Sequence, residues 1–116
     1  MRAAIVILTC TCLATAGALS AGEVAVEHYS EDPAAQLPFS DAVRVGDMLY
    51  LSGKIGNLPG TLQLAPGGIQ GETRQTLENI KASLEKYGSS LDEVVKCTVF
   101  LADIAEWGAM NEVYVT

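Results

Sequence analysis

Few side chains in this sequence could do covalent chemistry, and each can be weighed against its neighbours. The chain has 3 Cys (Cys10, Cys12 and Cys97) and 1 His, His28. A thiol nucleophile needs a base or a lowered pKa. Cys97 sits in "VKCTVFLA" (95–102), a run that reads as a strand, where a buried free Cys acts as a small hydrophobe. His28 lies near the N-terminus, and no other residue stands out as its base. A second candidate is the stretch 56–71, with Gly56, Gly60, Gly67, Gly68 and Gly71 ahead of a helix. Phosphate loops look like this, but the spacing fits neither G-x-G-x-x-G nor G-x-x-x-x-G-K-[ST], so a plain loop is expected. A third is the series Trp107, Met110 and Tyr114. At helical spacing such a stripe is core rather than a ligand box.

The elements that would position these groups follow from periodicity. In "AVRVGDMLYLSG" (42–53), Val43 and Val45 alternate with Ala42 and Arg44, and Gly46-Asp47 is a tight-turn pair. The following run, Met48 to Leu51, predicts a second strand buried on both faces. Residues 72–87, "ETRQTLENIKASLEKY", predict a helix with Leu77, Ile80, Leu84 and Tyr87 on one face. Glu72 falls in its first turn, and Gly88 stops it. Ser90-x-x-Glu93 is a capping box. The β-branched and aromatic residues of "VVKCTVFLA" (94–102) predict a third strand. Asp103-x-x-Glu106 caps a second helix with Ile104, Trp107, Met110 and Tyr114 on one face. The order β-β-α-β-α predicts an α+β sandwich with helices on one face of a sheet.

The chain of 116 residues fits one domain. Its 49% hydrophobic content is concentrated at the start. Arg2, the apolar run from Ala3 to Leu8 and the small residues Ala18-Leu19-Ser20 have the layout of a secretory signal peptide over residues 1–21. That predicts a periplasmic or secreted protein without stable membrane association after cleavage. Cys10 and Cys12 leave with this leader, so Cys97 has no internal disulfide partner. Residues 22–35 read as an N-terminal arm and 36–116 as the domain. The net charge of −7 argues against nucleic acid and anionic membranes as partners, because both require basic patches.

Three stretches are more specific than this patterning. "PFSDAVRVGDMLYLSGKIG" (38–56), "ETRQTLENIKASLEKYGSSLDEVVKCTVFLADI" (72–104) and "WGAMNEVYVT" (107–116) together resemble the Rid/YjgF family, the RidA-like reactive intermediate deaminases. The resemblance implies a chorismate-mutase-like, YjgF-like fold, present here as β-β-α-β-α without its last two strands, so the chain is read as C-terminally incomplete. It implies a homotrimer with clefts between subunits. It implies hydrolysis of small enamines and imines (2-iminoacids) to ketoacids and ammonia, with no metal and no cofactor. The alternative it leaves open is a non-catalytic, small-molecule-binding trimer of the same family.

Such chemistry asks little of side chains. A protonated imine is already electrophilic, so a site must hold the substrate carboxylate and orient one water. By resemblance, Ser52 is the cleft hydroxyl at the end of the second strand, and Asn111 is the asparagine of "M-N-x-x-Y", which lines or supports the cleft. Phe39 stands where many members have a Tyr that reaches substrate, so packing is kept and a hydrogen-bond donor is lost. Lys54 stands where Gln is common, and Gly53 and Cys97 match structural positions. The arginine that would clamp the carboxylate is expected in a strand beyond Thr116, followed by an acidic residue that helps the water. Arg44 and Arg74 do not match that arginine.

Overall fold

The computed structural model describes residues 22–30 and 38–116. The leader expected over 1–21 lies outside the described residues, as do residues 31–37. The described elements are β1 (Val26–Tyr29), β2 (Ala42–Val45), β3 (Met48–Leu51), α1 (Gly68–Lys86) and α2 (Trp107–Tyr114). Short 3-10 turns cover Leu91–Glu93 and Ile104–Glu106. The architecture is α+β.

The strands form an antiparallel sheet in the order β1-β2-β3. Val43 lies opposite His28 on one side and Tyr50 on the other. Gly46 takes φ 57° at the β2–β3 turn, a conformation that L-residues with a Cβ adopt reluctantly. The hairpin therefore forms as expected. β1 does not appear in the sequence reading, where residues 22–35 are an arm. Its strand state comes from pairing with β2, which satisfies its backbone groups.

β3 departs from expectation. Met48 and Tyr50 are exposed, so β3 is not buried on both faces. Leu49 and Leu51 are half-buried on its other face. Burial on both faces would require a packed layer on each side. The core is built mostly from modest side chains: Ala42, Ala65, Leu84, Met110 and Val113.

α1 begins at Gly68, four residues before the expected start, so Glu72 is not in its first turn. The glycines here serve close approach in one case and positive φ in two. A Cβ on Gly71 would overlap the Pro66 carbonyl oxygen, and Gly67 and Gly68 take φ 104° and 60°. One turn later, a Cβ on Gly56 would fall 2.7 Å from Glu72 Cα. Asn79 Nδ2 braces the same loop, donating to the carbonyls of Ile55 and Asn57 at 2.9 Å each. α1 ends in a Schellman motif. Gly88 has φ 76°, its N–H donates to Glu85 O, and Ser89 N–H donates to Leu84 O at 2.8 Å.

Residues 94–102 are not a strand, which corrects the expected third strand and the order β-β-α-β-α. Among the described residues, no β-ladder pairs with this segment. Val95 and Phe100 are 81% and 92% exposed. Strand propensity is largely a preference for a half-buried pleated surface, and that surface is not supplied here. Cys97 is accordingly exposed rather than buried. α2 joins α1 through Gln70 Nε2, which donates to Glu112 Oε2 at 2.8 Å. Met110 and Val113 are its buried residues. Ile104 and Trp107 are 78% and 56% exposed, so the expected core stripe is mostly open.

Candidate functional site

The residues singled out in the sequence fall in two places. The first is the edge where the β2–β3 hairpin opens. Asp41 precedes β2 and Ser52 follows β3. The ladder that pairs Ala42 with Leu51 continues one step further, because Ser52 N–H donates to Asp41 O at 3.0 Å. Ser52 is half-buried, and its hydroxyl has no hydrogen-bond partner among the described residues. Gly53, next in the chain, has open space where a Cβ would stand. Phe39 lies two residues before Asp41 and is 59% exposed. Between them, Ser40 Oγ is hydrogen-bonded to His28 Nδ1 at 3.2 Å. His28 thus pairs with the hairpin edge and not with Cys97.

Asp41 is the electrostatic centre of this edge. It is buried, and Oδ1 accepts from Lys54 Nζ while Oδ2 accepts from the Tyr87 hydroxyl at 2.7 Å. Burial pushes the carboxyl pKa up. The hydrogen bonds from Lys54 and Tyr87, with the charges of Lys54 and Lys86, outweigh it and hold the group below its ordinary 3.8. Tyr87 is fixed in turn. Its ring stacks on Tyr29 with centroids 4.8 Å apart, and its carbonyl accepts from Arg44 Nη2 at 2.6 Å. Lys54, which stands where Gln is common in the family, is therefore paired with Asp41. Arg44 is paired with α1.

The second place is a groove of about 360 Å³ between the 97–101 segment and α2. Cys97, Val99 and Leu101 line one side at period-two spacing, with Trp107, Asn111 and Tyr114 opposite. Asn111 is half-buried, and its side-chain amide has no hydrogen-bond partner among the described residues. Tyr114 and Cys97 both line the groove, and interaction with the Cys97 side chain is the largest cause that raises the Tyr114 phenol above its ordinary 10.0. Charge at Cys97 and slight burial add to the rise. Phe39 and Ser52 do not line this groove.

Asp41 is the residue that sequence reasoning missed. A signal for it exists: opposite charges stand just outside the two ends of a predicted hairpin, where antiparallel pairing brings them together. Among the described residues, no group of three or more His, Cys, Asp or Glu is placed to hold a metal ion. What the two places offer is a hydroxyl, an amide, the Cys97 thiol without a base beside it in the groove, and aromatic surface. Those groups suit a small polar ligand and a positioned water better than covalent catalysis.

Residues 29–116 match the family described as Endoribonuclease L-PSP. The chain is 47% identical over 77 residues to a RutC family protein of Pyrococcus horikoshii, covering 66% of this chain and 61% of that one. It is 44% identical over 84 residues to the 2-iminobutanoate/2-iminopropanoate deaminase of Mus musculus, covering 72% of this chain and 62% of that one. Among solved structures, RidA from the Antarctic bacterium Psychrobacter sp. matches with a TM-score of 0.63 at 43% identity, covering 72% of this chain and 67% of that one. The chain thus spans about three fifths of the length of the curated relatives it matches. By sequence and by fold, the protein belongs to the Rid/YjgF family.

Proposed function

We propose that the protein is a RidA-like deaminase that hydrolyses small 2-iminoacids, and the enamines from which they form, to ketoacids and ammonia. The observation that carries this reading is the 44% identity over 84 residues to a protein named for that activity. Ser52 and Asn111 support it, since both present uncommitted polar groups at open surfaces. Water adds to the carbon of the protonated C=N bond, and the resulting carbinolamine expels ammonia to leave the ketone. Ser52 would hydrogen-bond the substrate, Phe39 would pack over it, and Asn111 would line the cleft. The arginine expected beyond Thr116 would hold the carboxylate.

Phe39 and Ser52 lie apart from the Asn111 groove, and a homotrimer supplies a way to unite them. The hairpin edge of one copy and the groove of another would line one cleft between subunits. We further propose export to the periplasm or beyond, led by residues 1–21. Among the described residues, no helix is long and apolar enough to cross a membrane.

A second reading, a non-catalytic small-molecule-binding trimer, is favoured by one observation. Phe39 has no hydroxyl to donate. The experiment that separates the two incubates the protein with iminoacids freshly generated by an amino-acid oxidase and follows ketoacid release. Acceleration over buffer supports the deaminase. Binding of a small ligand without acceleration supports the second reading. Reading the coding sequence past Thr116 tests the expected arginine-bearing strand.

A further inference from the structure

We infer that Asp41 is the positioning residue of the substrate edge, fixing Phe39 and Ser52 relative to each other through its buried pairing with Lys54. The inference rests on the reading above that Phe39 and Ser52 meet the substrate. Asp41 is 9% exposed, and four of its polar atoms are engaged by separate parts of the chain. Its N–H donates to Tyr29 O at 2.8 Å, at the end of β1. Its carbonyl accepts from Ser52 N–H at 3.0 Å, just after β3. Oδ1 accepts from Lys54 Nζ, and Oδ2 accepts from Tyr87 Oη at 2.7 Å, at the end of α1.

The tripeptide Ser52-Gly53-Lys54 is therefore held at both ends by one residue, with open space at the glycine between. Phe39 is tied to the same residue through the backbone of Ser40. This arrangement explains why the pair is charged. A buried carboxylate needs a partner that repays its desolvation, and leaving either ion unpaired costs more than never having buried it. The Lys54 cation is therefore occupied in holding the edge, and it does not project from it to meet an anionic substrate. A loosened edge would weaken substrate binding before it slowed bond breaking, because no Asp41 atom is assigned to the reaction.

The test compares Asp41→Asn, Lys54→Gln and the double variant in the full chain. The first readout is amide hydrogen exchange at Ser52, with Leu84 in α1 as the internal reference. Asp41→Asn is expected to speed exchange at Ser52 by about tenfold while Leu84 stays within about twofold, the ratio expected for a local opening. The second readout is the split between KM and kcat for iminoacid hydrolysis. KM should rise about tenfold with kcat nearly unchanged, the signature of lost binding rather than lost transition-state stabilisation.

The double variant replaces the ion pair by a neutral amide pair and should return both readouts to within about threefold of the parent, because no unpaired charge remains. If Asp41→Asn unfolds, Lys54→Gln alone, which keeps the carboxylate and its other partners, still reports on the Lys54 end through Ser52 exchange. Unchanged exchange at Ser52 in all folded variants overturns the proposal. So does parallel acceleration at Ser52 and Leu84, which marks a merely structural pair. A parent protein that does not hydrolyse iminoacids overturns the deaminase reading instead, and the exchange readout then decides the positioning role by itself.

Discussion

Tyr29 and Tyr87 stack with centroids 4.8 Å apart and planes 23° from parallel, joining the first strand to the end of α1. The Tyr87 hydroxyl extends beyond that stack to Asp41. Tyr87→Phe keeps the stack and removes one hydrogen bond to a charged acceptor, so it should lower stability by about 1.5–3 kcal/mol. Tyr29→Ala removes the stack and leaves the Tyr87 hydroxyl bond in place. Urea unfolding of both variants and their double measures the coupling, which should be non-additive because the two residues touch.

The pH dependence follows from the lowered pKa of Asp41. A carboxyl held below its unfolded value contributes stability that is fully present above that value, 3.8, and is lost as pH falls through the lower folded one. Acid unfolding should therefore steepen below about pH 4. In Asp41→Asn that component should vanish. In Tyr87→Phe that component should be smaller and complete at a higher pH, since one of the causes of the depression is gone while the unfolded value is unchanged. Titrating the Asp41 carboxyl by NMR checks the direction.

The glycines divide by what surrounds them. Gly56→Ala would drive a methyl group against the Glu72 backbone, and Gly71→Ala against the Pro66 carbonyl. Neither neighbour is a flexible side-chain end, so each substitution should cost about 2 kcal/mol or more. Gly108, in α2, has nothing within 4 Å of the added position. Gly108→Ala should stabilise by about 0.5–1 kcal/mol, the helix-propensity difference. Thermal melts of the three variants make the comparison.

Cys97→Ala should lower the Tyr114 phenol pKa back toward 10.0, because interaction with the Cys97 side chain is the largest cause of its rise. The difference between the ultraviolet phenolate titrations of parent and variant isolates this one tyrosine. An unchanged curve would mean that Cys97 and Tyr114 do not meet in solution.

Ser52→Ala and Asn111→Ala should each lower kcat/KM for iminoacid hydrolysis about tenfold, the typical effect of one lost hydrogen bond to substrate. Phe39→Tyr restores the missing hydroxyl and should raise it. Ketoacid release measures all three.

The hairpin is legible in the sequence because its turn chemistry is local, as Gly46 shows. The body of α1 is legible from its stripe and from Gly88. Its first turn is not, because Gly67, Gly68 and Gly71 have the composition of a loop, while Gly67 and Gly68 supply positive φ and Gly71 lets the backbone approach Pro66. β1 is hidden for a different reason. "VEHY" carries no clean alternation, and its partner strand supplies the order. Residues 94–102 show the reverse case, a strong local preference that no strand among the described residues completes. At the site, Ser52 and Asn111 are legible only through family resemblance. Asp41 is not singled out at all, since the groups that meet on it come from Tyr29, Ser52, Lys54 and Tyr87, and only folding brings them together.

The open segment 94–102 also bears on how the chain behaves in company. "VVKCTVFLA" combines high β-propensity, no proline and a single charge at Lys96. Short runs of this composition, exposed and unpaired, are templates for intermolecular cross-β stacking, and one interrupting charge is the usual gatekeeper against it. Lys96 takes no part in the proposed chemistry, but neutralising it, by acetylation for instance, would remove the only charge within this run and favour stacking between molecules wherever the run is left uncovered.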